Sequence, residues 1–283
     1  MYELKLENES GNVVNINDSV NYVVLSVSGL NPPPASIFTA KSPNRKGLKY
    51  NGSTLNERNI IVTIKILGNV EANRNALYAW IDTEQYCKIY YRNGAKNVYC
   101  EGHVEDCEID LFTKSEIVNL AILCEDPYWK DLQDISVDIS TVQKQFVFPF
   151  SIDSVGIPLS TSRGDNTTGV FNGGAETGAI IRAVCKQEVK NLRIYDATNP
   201  LRQFLLNYTI PANWVVEIDT QGSPKTCKGY TPDGEVVNLL RFVAANPTWF
   251  VLKKGPNKFG HTAESGATGI EISVSFTNKY LGV

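Results

Sequence analysis

From Ile270 to Phe276 every second residue is apolar: Ile270, Ile272, Val274 and Phe276 alternate with Glu271, Ser273, Ser275 and then Thr277. Successive side chains of an extended strand point to opposite faces, so a period of two marks a strand with one buried and one wet face. The same period runs through most of the chain. In the stretch from Asn59 to Leu67, Ile60, Val62, Ile64 and Ile66 share one face, while Ile61, Thr63, Lys65 and Leu67 share the other. Both faces are apolar enough to predict burial on both sides, and the run around Val20, Tyr22, Val24 and Val23, Leu25, Val27 reads the same way. Val118, Leu120, Ile122 and Cys124 form a further strand that Pro127 ends. Asn93-Gly94 between two apolar runs predicts a tight hairpin turn with positive φ at both residues. One segment departs from the pattern. Val70, Leu77, Trp80 and Ile81 fall at helical spacing with alanines between them, which predicts a helix covering one sheet.

The period also organises the second half, where short strands are predicted at Ala179–Cys185, Leu192–Tyr195, Trp214–Asp219, Thr226–Tyr230, Val236–Val243, Trp249–Leu252 and Ile270–Phe276. Short strands at this spacing indicate a β-sandwich or jelly roll. At 283 residues the chain is long for one domain. A change of style after the apolar run Gln145-Phe146-Val147-Phe148-Pro149-Phe150 places a boundary near residue 140, giving domains 1–140 and 141–283, with the last strand either part of the second domain or rejoining the first, which would make the second an insertion. The expected fold class is mainly β, with one short helix in the first domain.

Charge and composition exclude several classes of function. A net charge of −3 gives no electrostatic case for nucleic acid or an anionic membrane. No apolar run approaches the ~20 residues that cross a bilayer. The opening MYELKLENESGN lacks the basic-then-apolar order of a signal peptide, so folding in the cytoplasm of the producing cell is expected. Six cysteines at irregular intervals, without a CxxC pair, read as buried reduced thiols rather than disulfides or zinc ligands.

Catalytic signals are equally sparse. The two histidines read as a strand residue (His103) and a solvated loop residue (His261). HExxH, GxSxG and the phosphate-binding glycine loop are all missing from the sequence. Glu101 and Glu105 share a strand face, as do Asp106 and Glu108, and acidic alternation of this kind is a wet face before it is a glycosidase pair. No catalytic, metal or cofactor residues are therefore assigned. Trp214, Tyr230 and Trp249 are the candidates for stacking on a sugar ring, or else belong to the core. Arg163-Gly164-Asp165 spells an adhesion tripeptide within a turn-rich stretch.

Several stretches, in order, resemble the siphovirus distal tail protein family of phage tail components. They are Tyr22–Leu30 with its Gly29-Leu30 turn and the following Pro32-Pro33-Pro34-Ala35; Gly47-Leu48-Lys49-Tyr50 followed by Arg58-Asn59-Ile60; and Glu71–Leu77. Further along come Tyr99–Val104, Cys124-Glu125-Asp126-Pro127-Tyr128-Trp129, Glu217–Thr220, Phe250–Asn257 and the ending Tyr280-Leu281-Gly282-Val283. The resemblance implies a β-sandwich-like first domain that closes into a homo-hexameric ring in the virion tail. The tail tube protein would lie on one side of that ring and a tail-associated, fibre or receptor-binding protein on the other. It also implies a galectin-like second β-sandwich, carrying receptor-binding proteins or touching host cell-wall glycan. A galectin-type order of His, Asn, Arg, Trp and Glu does not occur here. A structural, non-enzymatic hub subunit assembled in the bacterial host cytoplasm is thus the expected function, with no cofactor. The alternative is a cell-wall glycan-binding module or adhesin. The segment from Lys41 to Leu55, with Arg45, Lys46 and Lys49, is long for a loop. It reads as an arm reaching a neighbouring subunit or the tube, or as a surface loop.

Overall fold

A computed structural model describes residues 2–42, 46–81, 85–111, 115–139, 142–144, 160–162 and 168–283. Arg45, the boundary expected near residue 140, the run 145–150 and the tripeptide 163–165 lie outside the described residues. The chain divides into two compact units: Met1–Leu132 joined by Lys279–Val283, and Gln133–Asn278. The second unit is thus inserted before the last five residues of the first.

The first unit contains β1 (Glu3–Asn8), β2 (Val13–Asn15), β3 (Tyr22–Ser28), β4 (Ala35–Lys41), β5 (Leu48–Leu55) and β6 (Arg58–Ile66). These are followed by α1 (Val70–Trp80), β7 (Tyr86–Arg92), β8 (Asn97–Ile109), β9 (Ile117–Cys124) and β10 (Trp129–Asp131). Seven strands form the path β2-β1-β7-β8-β9-β6-β3, and β10 joins β8 to the C-terminal strand Lys279–Tyr280. The core lies on one face of this sheet. Ile60, Val62, Ile64 and Ile66 are buried against Leu77 and Trp80 of the helix, whereas Ile61 is 41 % exposed. The expected two-sided burial is therefore corrected for β6, and equally for β3, where Tyr22 is buried and Leu25 exposed. A single helix among the described residues covers only one side of the sheet, so the second apolar set stays at the surface. Asn69 caps α1 by accepting a hydrogen bond from the Ala72 amide. No helix among the described residues is long and apolar enough to cross a membrane.

Two local expectations change. The β7–β8 hairpin has a four-residue loop, because the Asn93 carboxamide accepts from the amides of Ala95 and Lys96 and closes the turn without positive φ. In β8 a bulge between Val104 and Asp106 switches the inward positions from even to odd.

The second unit contains β11 (Ile135–Asp138), β12 (Val142–Lys144), β13 (Ser160–Ser162), β14 (Thr168–Asn172), β15 (Thr177–Gly178), β16 (Ile180–Cys185) and β17 (Val189–Asp196). Then come β18 (Asn199–Ile210), β19 (Trp214–Asp219), β20 (Thr226–Tyr230), β21 (Val236–Asn238), β22 (Val251–Leu252), β23 (Gly255–Thr262) and β24 (Ile270–Phe276). A six-stranded sheet, β11-β24-β16-β19-β20-β21, and a four-stranded sheet, β14-β23-β17-β18, share one core, which makes the unit a β-sandwich. In β24, Ile270, Ile272, Val274 and Phe276 are all buried. The strand expected over Val236–Val243 stops at Asn238, and Leu240–Phe242 form a 3-10 turn. His261 is corrected from a solvated loop residue to a buried strand residue of β23, 2 % exposed. Gly255, Pro256, Asn257 and Gly260 give this segment a loop-like composition, yet β14 and β17 pair with it from either side. The Tyr195 ring crosses Gly260, where a Cβ would lie 2.5 Å from it and displace the ring.

Candidate functional site

The catalytic candidates are dispersed. Glu101 binds Lys130 Nζ at 2.6 Å, and Glu105 accepts from Asn59 Nδ2 at 3.1 Å. His103 is half exposed on β8 with its Nδ1 4.0 Å from Glu125, and His261 lies in the other unit. No group of three or more metal-ligating side chains occurs among the described residues. All six cysteines are free thiols, five of them buried. Burial pushes Cys87 and Cys227 up to about 12 and Cys107 and Cys185 up to about 11, so these thiols stay protonated and unreactive.

What the fold does bring together is four of the motifs behind the family resemblance. Arg58, the first residue of β6, is 1 % exposed, and its guanidinium donates to the carbonyls of Gly29, Asn31, Pro127 and Leu281. Trp129 lies beneath it, with the guanidinium carbon 5.5 Å from the ring centre. Five donors in a rigid fork suit one side chain to four backbone acceptors. Gly29 must be glycine here, since its φ is +84° and a Cβ would lie 2.2 Å from the Asn59 carbonyl. Thus Gly29-Leu30, Arg58, Asp126-Pro127-Tyr128 and the ending Tyr280–Val283 meet at one clamp that holds the C-terminus in the first unit. Each motif is visible in the sequence but their shared centre is not, because an isolated arginine in a strand carries no signal of what surrounds it.

An ionic layer completes the clamp. Asp126 meets Lys279 at 3.0 Å and Lys130 at 3.2 Å, and Tyr280 donates to Asp131 at 2.9 Å. Burial works against the Asp126 carboxylate, but Lys279 and Lys130 hold its pKa below the ordinary value. Glu101 behaves alike: burial opposes its charge, while Lys130 and Tyr86 lower its pKa. A carboxyl depressed in the folded state contributes stability above its unfolded pKa and loses it as pH falls through the folded one. Unfolding free energy in urea is therefore expected to be level from about pH 6 to 8 and to decline below about pH 4. Asp126→Asn should cost about 1 kcal/mol at pH 7, a figure discounted because Asp126 is a third exposed, and the gap should close in acid. An equal gap at both pH values would show that its charge is not what matters.

The most exposed element is the β4–β5 ribbon. Within the segment 41–55, residues 48–55 form β5, which pairs with β4 from Ala35↔Leu55 to Lys41↔Leu48 in a two-stranded ribbon. Every described residue of β4 is exposed. Tyr50 lies opposite Thr39 and Leu48 opposite Lys41, so both share a face with Ile37. Their exposures are 64 % for Ile37, 61 % for Leu48 and 63 % for Tyr50, and Phe38 projects from the opposite face at 55 %. Lys46 near the tip and Lys49 on β5 are exposed as well.

The three candidate sugar-stacking aromatics do not share a surface. Trp214 faces the core beside Tyr208, at 6.3 Å, and its ring lies over Gly229. Trp249 packs edge-on against buried Phe204 at 5.2 Å. Tyr230 is on the outward face of β20, where its hydroxyl donates to Glu217 at 3.0 Å.

Comparison with known proteins accords with this architecture. Residues 172–280 match the family model described as siphovirus-type tail component, C-terminal domain. No curated protein sequence matches the chain. Among solved structures, the crystal structure of the SPP1 Dit (gp 19.1) protein is similar at a TM-score of 0.70 and 14 % identity, covering 98 % of this chain and 99 % of that one. It is described as a paradigm of the hub adsorption apparatus in phages infecting Gram-positive bacteria. A chain of the phage P2 baseplate in its activated conformation with Ca aligns at 11 % identity and a TM-score of 0.49, over 100 % of both chains. Residues 172–280 are thus similar to the C-terminal domain of siphovirus-type tail components, and the fold is shared along nearly the whole chain with SPP1 Dit.

Proposed function

We propose that six copies of this chain close a distal tail ring, a baseplate hub that links the tail tube to the tail tip and its host-adsorption proteins. The β4–β5 ribbon carries this reading. An isolated two-stranded ribbon is at best marginally stable in water, and this one presents Ile37, Leu48 and Tyr50 on a single face. Fully burying such side chains is worth roughly 2 kcal/mol each. A head-to-tail contact repeated by rotation closes a ring, and a ribbon of one subunit lying on its neighbour is such a contact. Lys46 and Lys49 sit at the rim of the contact, where charge steers approach more than it holds. The tube protein, a tail-associated, fibre or receptor-binding protein, the virion tail as destination and assembly in the host cytoplasm all follow from this role. The role is structural and needs no catalyst or cofactor.

Light scattering on the purified chain across a concentration series tests the ring. The expected result is a species near six times the 31.3 kDa of one chain, or a monomer moving toward it as concentration rises. A strict monomer at every concentration, alone and with tail tube protein added, would refute self-assembly into a ring.

A further inference from the structure

In the second unit a cleft of about 280 Å³ opens between the β17–β18 turn and the segment leading into β23. Lys253, Lys254, Lys258 and Arg202 line it, with Asp196 as the sole lining carboxylate. Asp196 is already engaged, accepting from Thr198 Oγ1 at 2.6 Å and pairing with Arg202 at 3.3 Å. Burial disfavours its charge, but the Thr198 hydrogen bonds and Arg202 keep its pKa low. Among the described residues no ion pair involves Lys253, Lys254 or Lys258. Four cations thus face one carboxylate on a chain whose net charge is −3.

The wall that carries two of these lysines is held in place. Asn257 accepts from the Lys253 amide at 2.9 Å and donates to the carbonyls of Lys253 and Gly255 at 2.8 and 3.0 Å. Phe250 and Phe259 pack edge to face at 5.3 Å and are 3 % and 4 % exposed, so the floor offers no open ring for sugar stacking. Recognition here rests on charge and hydrogen bonding, and a concave site concentrates the field of its charges. A carboxylate brings one charge and two oxygens. A phosphate monoester brings nearly two charges and three acceptor oxygens, which matches three unpaired ammonium groups.

We propose that this cleft binds a phosphate group, free or borne on a sugar, through Lys253, Lys254 and Lys258. The site stands independently of the ring, since every lining residue belongs to the second unit of one chain.

Titration calorimetry on the full-length chain tests it with inorganic phosphate, glucose 6-phosphate, glucuronate and glucose as probes. Glucose 6-phosphate is expected to bind at least about tenfold more tightly than glucuronate, and glucose not at all. Raising the salt from about 0.05 to 0.5 M should weaken binding, because the lysines are exposed and screened. The variant Lys253→Gln/Lys254→Gln/Lys258→Gln should lose at least about tenfold in affinity while keeping the wild-type circular dichroism spectrum. Equal affinity for inorganic phosphate and the sugar phosphate would identify the free ion as ligand, whereas tighter binding of the sugar phosphate would identify a phosphorylated sugar. The proposal is overturned if no phosphate probe binds below about 10 mM, if glucuronate binds as well, or if the triple variant binds like wild type.

Discussion

Replacing Arg58 by Ala is expected to cost the first unit roughly 3–5 kcal/mol, measured as the loss in urea unfolding free energy of the full-length chain. The substitution leaves the carbonyls of Gly29, Asn31, Pro127 and Leu281 without their shared donor and removes the cation lying over Trp129. Each buried acceptor left unmade costs about 1–3 kcal/mol, reduced where the loosened C-terminus regains water. Against a total stability of about 5–15 kcal/mol for a typical protein, such a loss is large. Arg58→Lys should recover part of it: an ammonium keeps the charge, but three donors at a point cannot span four carbonyls fixed on three segments. Amide exchange would then show the C-terminal residues 279–283 opening before β6 and β9. A drop below about 1 kcal/mol for Arg58→Ala would mean that the core holds these segments without the clamp.

The second large effect concerns assembly rather than folding. Ile37→Ser/Leu48→Ser/Tyr50→Ser should raise the concentration at which the chain associates by more than about 100-fold, while the unfolding free energy of the monomer changes by no more than about 0.5 kcal/mol. All three side chains are more than half exposed, so folding gains little from them, whereas an interface that buries them would lose its apolar centre. Lys46→Glu/Lys49→Glu should act differently, slowing association and altering its salt dependence with a smaller change in affinity. Light scattering of the three proteins over one concentration range separates these outcomes. Association of the apolar variant at the wild-type concentration would remove the ribbon from the interface.

Much of the architecture was legible because burial on one face writes itself into a strand as a period of two. β6, β9, β16, β19, β20 and β24 follow from that rule alone, and α1 from its helical spacing between Asn69 and Trp80. Where the rule lacked a one-sided pattern, the reading failed for identifiable reasons. β4 and β5 are exposed on both faces, so no period marks them. β23 is rich in turn-forming residues and becomes a strand only because β14 and β17 offer hydrogen bonds on both sides. Ile61 looked buried because apolar character shows preference, while burial depends on whether another layer covers that face.

The candidate sites divide in the same way. Trp214, Tyr230 and Trp249 could be named from residue type, but their orientation depends on strand parity and on contacts with Tyr208, Glu217 and Phe204 that exist only once the strands have paired. Lys46 and Lys49 could be named as exposed cations, while the apolar face beside them appears only once Tyr50 is paired with Thr39 and Leu48 with Lys41.

By itself the sequence determined the class of the fold, the alternation that builds its strands, the position of α1 and the lack of recognisable catalytic motifs, since these are properties of neighbours along the chain. Only the tertiary structure decided that Arg58 gathers carbonyls from residues 29, 31, 127 and 281. It also decided that the last residues return to the first unit and that three lysines share a cleft with a single, already paired carboxylate. Hydrogen bonds and charge act over a few ångströms of space, and separation in sequence does not fix that distance until the strands have paired.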